Sequence, residues 1–240
     1  MLLELNNVVA GYGGSDVLKG VDLGIEQGSV TCIVGPNGAG KSTVLRSISG
    51  LLSPRLGQIV FEGRNIAGMS PRRVLELGIA QVPQNHSLFN EMTVRDNVRL
   101  GAFLLHDHAR VDRALAEVEA LFPIVKERAH EKAGNLSGGQ QRLVEFARCL
   151  MLSPKLIMLD EPSMGLDPRT LKTVFDTIGV MHASGRTILL VEQNVKTGLG
   201  ASTNGVVMES GTVRLTGSNQ EILHHPEIGR LYLGGALAGA

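Results

Sequence analysis

Three short segments of this chain carry residue types and spacings suited to holding a nucleoside triphosphate. Gly35-Pro36-Asn37-Gly38-Ala39-Gly40-Lys41-Ser42, continued by Thr43, fits the phosphate-loop pattern G-x-x-x-x-G-K-[ST]. Glycines let the backbone wrap phosphate oxygens because they lack a Cβ and tolerate positive φ. The N–H groups at the start of the following helix then favour an anion. In such a loop Lys41 reaches the β- and γ-phosphates of ATP, and the Ser42 hydroxyl holds Mg²⁺. A second segment, Leu156-Ile157-Met158-Leu159-Asp160-Glu161, sets two carboxylates at the carboxyl end of an apolar strand, the ligand edge of an open α/β sheet. Asp160 is expected to hold Mg²⁺ through water as the acidic partner of Ser42, and Glu161 to polarise the attacking water. The third segment, Leu136-Ser137-Gly138-Gly139-Gln140, opens a helix with a capping serine and two glycines, leaving backbone N–H groups for an oxyanion. One triphosphate does not need two unrelated anion nests. The second is therefore expected to serve a nucleotide held by another subunit.

The elements that must position these residues follow from hydrophobic patterning. Residues 2–61 read as short strands broken by turns such as Gly11-Tyr12-Gly13-Gly14 and Gln27-Gly28. Val30-Thr31-Cys32-Ile33-Val34 is β-branched and nearly all apolar, as a strand buried on both faces should be. A helix over 41–49 follows the loop and stops at Gly50. Residues 70–152 are mainly helical: Ser70-Pro71 starts one helix, Thr93 caps a helix over 94–105, another covers 109–121, and Ser137 precedes a helix reaching Met151. Strand and helix then alternate, with a strand over 156–159, a helix over 171–181 and a strand over 187–191. A hairpin pairs 205–208 with 212–215 across Glu209-Ser210-Gly211. The pattern predicts an α/β fold, a parallel-sheet nucleotide core with a helical insert between two strands and antiparallel β at the edge. The tail from Leu233 is expected to fray.

With 240 residues the chain can bury a substantial core without disulfides or metal staples. It has 23 basic and 23 acidic residues, hence zero formal net charge, which argues against a general nucleic-acid binder. The two cysteines, Cys32 and Cys149, lie in apolar runs and read as buried, reduced thiols of a cytosolic protein. No signal peptide and no stretch long enough to span a bilayer are evident, so any membrane role requires a partner. The seven histidines show no recurring metal-ligand spacing and read as solvated surface residues.

On these segments the chain resembles the ATP-binding subunits of ABC transporters, over nearly its whole length and with the motifs in the family's order. The resemblance implies a P-loop NTPase core of ABC ATPase type, with an antiparallel β subdomain and an inserted helical subdomain. Residues 1–84 and 153–240 would form the nucleotide-binding lobe, and 85–152 the helical lobe that carries the signature Leu136-Ser137-Gly138-Gly139-Gln140. It also implies that Tyr12 stacks on adenine, and that Gln84, in Val82-Pro83-Gln84, senses Mg²⁺ and the γ-phosphate. Ser163-Met164-Gly165-Leu166-Asp167 is similar to the D-loop that crosses the dimer interface. Two subunits, identical or related, would close head to tail on two ATP molecules and drive transmembrane permease subunits, and indirectly a solute-binding protein, from the cytoplasmic face of the membrane. The permease contact is expected around 85–94, with Phe89 as its principal residue.

One position departs from the family. Leu190-Val191-Glu192-Gln193-Asn194 has Gln193 where a switch histidine normally contacts the γ-phosphate, and glutamine donates hydrogen bonds but cannot become cationic. Gln193 thus joins Glu161, Lys41 and Gln84 as an expected catalytic residue without a proton-carrying role. Val191-Glu192-Gln193-Asn194, Phe89-Asn90-Glu91-Met92-Thr93-Val94, Leu121-Phe122-Pro123 and the closing Tyr232-Leu233-Gly234-Gly235 resemble the branched-chain amino acid importers. Gln84 and Asp167 depart from that subgroup, which often has Glu and Ala there. A urea importer, a lipopolysaccharide exporter and a soluble ABC ATPase are the alternatives carried forward.

Overall fold

A computed structural model describes residues 1–228. The Tyr232-Leu233-Gly234-Gly235 ending and the tail from Leu233, expected to fray, lie outside the described residues. The elements run β1 (Leu3–Tyr12), β2 (Ser15–Ile25), β3 (Val30–Val34), α1 (Lys41–Ile48), β4 (Leu56–Phe61), β5 (Arg64–Asn65), α2 (Pro71–Glu76) and β6 (Ile79–Val82). A helical stretch follows, with α3 (Val94–Leu100), α4 (His108–Leu121), α5 (Pro123–Glu127) and α6 (Gly138–Leu150). The chain closes with β7 (Leu156–Asp160), α7 (Pro168–Ala183), β8 (Thr187–Glu192), α8 (Val195–Gly200), β9 (Asn204–Glu209), β10 (Thr212–Ser218) and α9 (Asn219–Leu223).

Among the described residues the strands form two sheets, β2-β1-β4-β5 and β10-β9-β3-β8-β7-β6. The first is antiparallel. In the second, β9, β3, β8, β7 and β6 run parallel and β10 pairs antiparallel at the edge. Strand alternation explains how one sheet serves two cores. Cys32, Ile157, Leu159, Ile188 and Leu190 point into the core shared with α3 to α7, while Ile33, Leu156, Met158, Leu189 and Val191 point toward α1 and the antiparallel sheet. Strands covered on both faces are continuously apolar, which is why β3, β7 and β8 carry no exposed position.

Several elements differ from their sequence expectation. The first two strands are long rather than short, with register shifts along their pairing and Asn7 at φ 50° in one of them. Helix α3 stops at Leu100 rather than 105: the N–H groups of Gly101, Ala102 and Phe103 bond three residues back instead of four, and Gly101 packs on α6 so closely that a Cβ there would lie 2.1 Å from the Arg148 carbonyl oxygen. Helix α7 starts at Pro168 and runs to Ala183, beyond both ends of the 171–181 expectation. Its start is fixed by Asp167, whose carboxylate accepts the N–H groups of Arg169 and Thr170. No described helix is long and apolar enough to cross a membrane.

The topology sets the site. Val34 pairs in register with Glu192, and Asp160 with Val191, so β3, β8 and β7 end side by side. The loop after β3, the acidic pair at the end of β7 and Gln193 after β8 emerge at one sheet edge.

Candidate nucleotide-binding site

The six residues between β3 and α1 form a cradle. Gly38 and Gly40 have φ of 80° and 100°, which glycine adopts without a Cβ penalty. The Ala39 carbonyl accepts Gly211 N–H at 3.0 Å, fixing the loop to the β9–β10 hairpin. Among the described residues no side chain caps α1, so its first-turn N–H groups remain available to an anion. Lys41 is only 4% exposed; its Nζ donates to the carbonyls of Gly35 at 2.8 Å and Pro36 at 3.1 Å and lies 3.7 Å from Glu161 Oε1. Lys41 thus stands at the mouth of the loop between two backbone carbonyls and the Glu161 carboxylate.

Ser42 Oγ donates to Asp160 Oδ1 at 3.0 Å. Burial raises the Asp160 carboxyl above its ordinary range, the Ser42 hydrogen bond opposes that, and neighbouring Glu161 adds to it. Glu161 has φ 44°, a left-handed conformation costly for a residue with a Cβ and typical of functional turns. Its N–H donates to the Val191 carbonyl at 2.9 Å, and Gln84 Nε2 donates to its Oε2 at 3.0 Å. Gln193 is exposed and lines a cavity of about 380 Å³ with Glu161, Ser163, Met164, Glu192 and Asn194. Glu192 is pushed up to about 6, chiefly by burial, against two hydrogen bonds from Ser163. Tyr12 is 45% exposed; the Arg46 guanidinium lies 5.9 Å from its ring centroid and donates to its hydroxyl at 3.2 Å.

Thus the fold gathers 35–43, Gln84, Asp160, Glu161 and Gln193. Ser137 to Gln140 share no hydrogen bond with the loop among the described residues. Ser137 caps α6 in a reciprocal box, its Oγ accepting Gln140 N–H at 3.4 Å while Gln140 Oε1 accepts Ser137 N–H at 3.0 Å. The nest therefore offers the N–H groups of Gly138 and Gly139, whereas those of Ser137 and Gln140 are satisfied within the cap. Gly139 is also a packing residue, because a Cβ there would fall 1.9 Å from Thr170 Cγ2 on α7.

Sequence reasoning missed the residues that grip the backbone after Gln84. Arg142 donates to the carbonyls of Pro83 at 2.8 Å and Gln84 at 2.7 Å, and pairs with buried Glu145 at 2.9 Å. Glu145 accepts the Ser87 N–H and hydroxyl, and Arg148 donates to the Ser87 carbonyl at 2.9 Å. The signal was present: Arg142, Glu145 and Arg148 recur every three residues on the half of α6 that also carries core residues. Four histidines are not simply solvated: His86 lies 3.5 Å from Glu145, His182 and His224 share 2.8 Å hydrogen bonds with the Gly28 and Gln220 carbonyls, and His225 Nδ1 accepts the Glu227 N–H at 3.4 Å. Both cysteines are free thiols. Burial pushes Cys32 well up and Cys149 to about 12, although Cys149 is only partly buried by surface exposure.

The donors fit a magnesium-bound triphosphate: an uncapped helix start, a buried lysine, and a hydroxyl–carboxylate pair of hard oxygen ligands. A family model described as "ABC transporter" matches residues 18–164. The "Probable branched-chain amino acid transport ATP-binding protein LivF" of Archaeoglobus fulgidus is 38% identical, over 97% of this chain and 99% of its own length. The "High-affinity branched-chain amino acid transport ATP-binding protein BraG" of Pseudomonas aeruginosa is 34% identical, over 98% of this chain and all of its own. Among solved structures, an ATP-binding cassette of an ABC transporter in its ADP conformation superposes with a TM-score of 0.88 at 30% identity, covering 97% of this chain and 98% of that one.

Proposed function

The chain belongs to the ABC transporter family of ATP-binding proteins, and from this premise we propose that it powers the import of branched-chain amino acids. ATP hydrolysis is the family's chemistry, and ABC ATPases dimerise and partner with transporter components. The observation that carries the reading is the convergence of Lys41, Ser42, Gln84, Asp160 and Glu161 on one sheet edge, with Gly138 and Gly139 held apart on α6.

In this reading Lys41 exchanges the Gly35 and Pro36 carbonyls for the β- and γ-phosphates, and the N–H groups of 35–43 enclose them. Tyr12 stacks on adenine. Ser42, Asp160 and Gln84 would hold Mg²⁺, which would supply charge neutralisation to the phosphates. Glu161 accepts a proton from the water that attacks the γ-phosphorus as the bond to the β-phosphate oxygen breaks. Gln193 donates a hydrogen bond to the γ-phosphate. Gly138 and Gly139 of a second copy, or of a related chain, complete the anion contacts, so hydrolysis requires the dimer.

A permease partner is supported by a largely apolar groove of about 530 Å³ between α2 and α3, lined by Leu51, Val74, Phe89, Leu100, Phe103 and Arg148. Phe89 and Phe103 are 58% and 60% exposed there, and a patch of this kind marks an interaction surface. The chain then works from the cytoplasmic face, bound to permeases that receive their solute from a binding protein. The names of the relatives support branched-chain amino acids as that solute.

The test is Glu161→Gln. The variant should keep ATP affinity, lose about 10²–10⁴-fold in turnover and accumulate as a dimer with ATP in size-exclusion chromatography. Near-wild-type turnover removes Glu161 from catalysis. For the solute, reconstitution with the permease and binding protein should show ATPase stimulation by leucine, isoleucine or valine and none by urea.

A further inference from the structure

Glu192 is a buried carboxylate to which the proposed chemistry gives no task. It is 1% exposed and ends β8 immediately before Gln193. Both its oxygens are taken by one residue: Ser163 N–H donates to Oε1 at 3.1 Å, and Ser163 Oγ to Oε2 at 2.7 Å. Helix α8 makes room for it, since a Cβ on Gly198 would lie 2.9 Å from Glu192 Cβ. A buried carboxylate satisfied by neutral donors is costly compared with an apolar side chain. Packing alone gives no reason for it.

The geometry of the 163–167 segment supplies one. Its far end is fixed by Asp167, which accepts the N–H groups of Arg169 at 3.0 Å and Thr170 at 3.2 Å. Thr170 in turn presses against Gly139, on the helix that carries Ser137 to Gln140. Between these anchors lie Met164, 50% exposed, and Gly165, at φ 74°. Gln84 Nε2 reaches in from β6 to donate to Met164 Sδ at 3.1 Å. The short segment is thus tied at one end to the neighbour of Gln193 and at the other to the signature helix.

We propose that Glu192 is a positioning residue whose carboxylate latches Ser163, so that the 163–167 segment moves with the end of β8 and meets a second copy in the geometry that closes on ATP. The proposal rests on the dimer reading above, and it gives the residue before Gln193 a mechanical task. Displacement of Gln193 by the γ-phosphate state would be carried through Glu192 and Ser163 to Thr170 and, through its contact, to Gly139, which serves the other nucleotide of the pair.

The experiment compares ATP-driven dimerisation of Glu161→Gln with the same chain carrying Glu192→Ala, Glu192→Gln or Ser163→Ala. Each monomer's affinity for a fluorescent ATP analogue is measured alongside. Glu192→Ala should lower the dimer association constant at least tenfold with nucleotide affinity within twofold of the parent. Glu192→Gln, which keeps an oxygen acceptor, should restore most of it, and Ser163→Ala should fall between. Dimerisation of the alanine variant within twofold of its parent overturns the latch. If the Glu161→Gln parent itself stays monomeric, the dimer reading fails instead. Hydrogen exchange of the 163–167 amides then decides the latch alone: about tenfold faster exchange in Glu192→Ala than in wild type supports it, and equal exchange overturns it.

Discussion

At the scale of single residues, burial works against two of the carboxylates near the site: Asp160 and Glu192 are both raised by desolvation. For Glu192 this has a measurable sign. Its native value, about 6, lies above its ordinary 4.5, so the native state binds the proton more tightly than the unfolded chain does. The resulting stabilisation is full below 4.5 and is lost as pH rises through 6, about 2 kcal/mol in all. Glu192→Gln has no such titration. The variant's unfolding free energy minus that of wild type, from urea titrations, should therefore rise by about 2 kcal/mol between acid and neutral pH. A difference that stays flat across that window contradicts the assignment.

At the scale of elements, α6 joins the Ser137–Gln140 cap to the segment that follows Gln84. Its N-terminus carries Ser137 to Gln140, its middle holds the Pro83 and Gln84 carbonyls through Arg142, and its last turn holds Ser87 through Arg148. Arg142→Ala removes the cation paired with buried Glu145 and the donors on the Pro83 and Gln84 carbonyls, so it should cost about 3–5 kcal/mol in chemical unfolding. Adding Glu145→Ala should recover part of that loss, since the carboxylate no longer lacks its partner. Two independent, additive losses would show that the pair does not act as a unit.

At the scale of the whole molecule, the nucleotide edge and the apolar groove lie at opposite ends of the same backbone segment, which runs from Gln84 to Phe89. Asn97 closes the groove end of this segment: its Oδ1 accepts Phe89 N–H at 2.8 Å and its Nδ2 donates to the Phe89 carbonyl at 3.0 Å. Replacing Phe89 and Phe103 together by alanine should leave basal ATPase activity and thermal stability close to wild type, because both rings face solvent. Affinity for the detergent-solubilised permease should fall about tenfold or more. Unchanged affinity in a titration would place the permease contact elsewhere.

The sequence by itself determined the local chemistry. A phosphate loop needs glycines with positive φ, a lysine and a hydroxyl in fixed order, and a buried strand ending in Asp160-Glu161 is continuous in the chain. Both are short-range patterns, and in the structure they stand at the ends of β3 and β7, the two strands that flank β8. Likewise the capping serine announced α6 before its packing was known. What only the tertiary structure decided depends on contacts between residues far apart in the chain. Gly101 at the end of α3 packs on the Arg148 carbonyl, the Ser137 and Gln140 N–H groups are consumed by their own cap, and Glu192 meets Ser163 across 29 positions. Whether a buried polar side chain is a cost or a device turns on which partner the fold brings to it, and spacing along one strand or helix does not encode that partner.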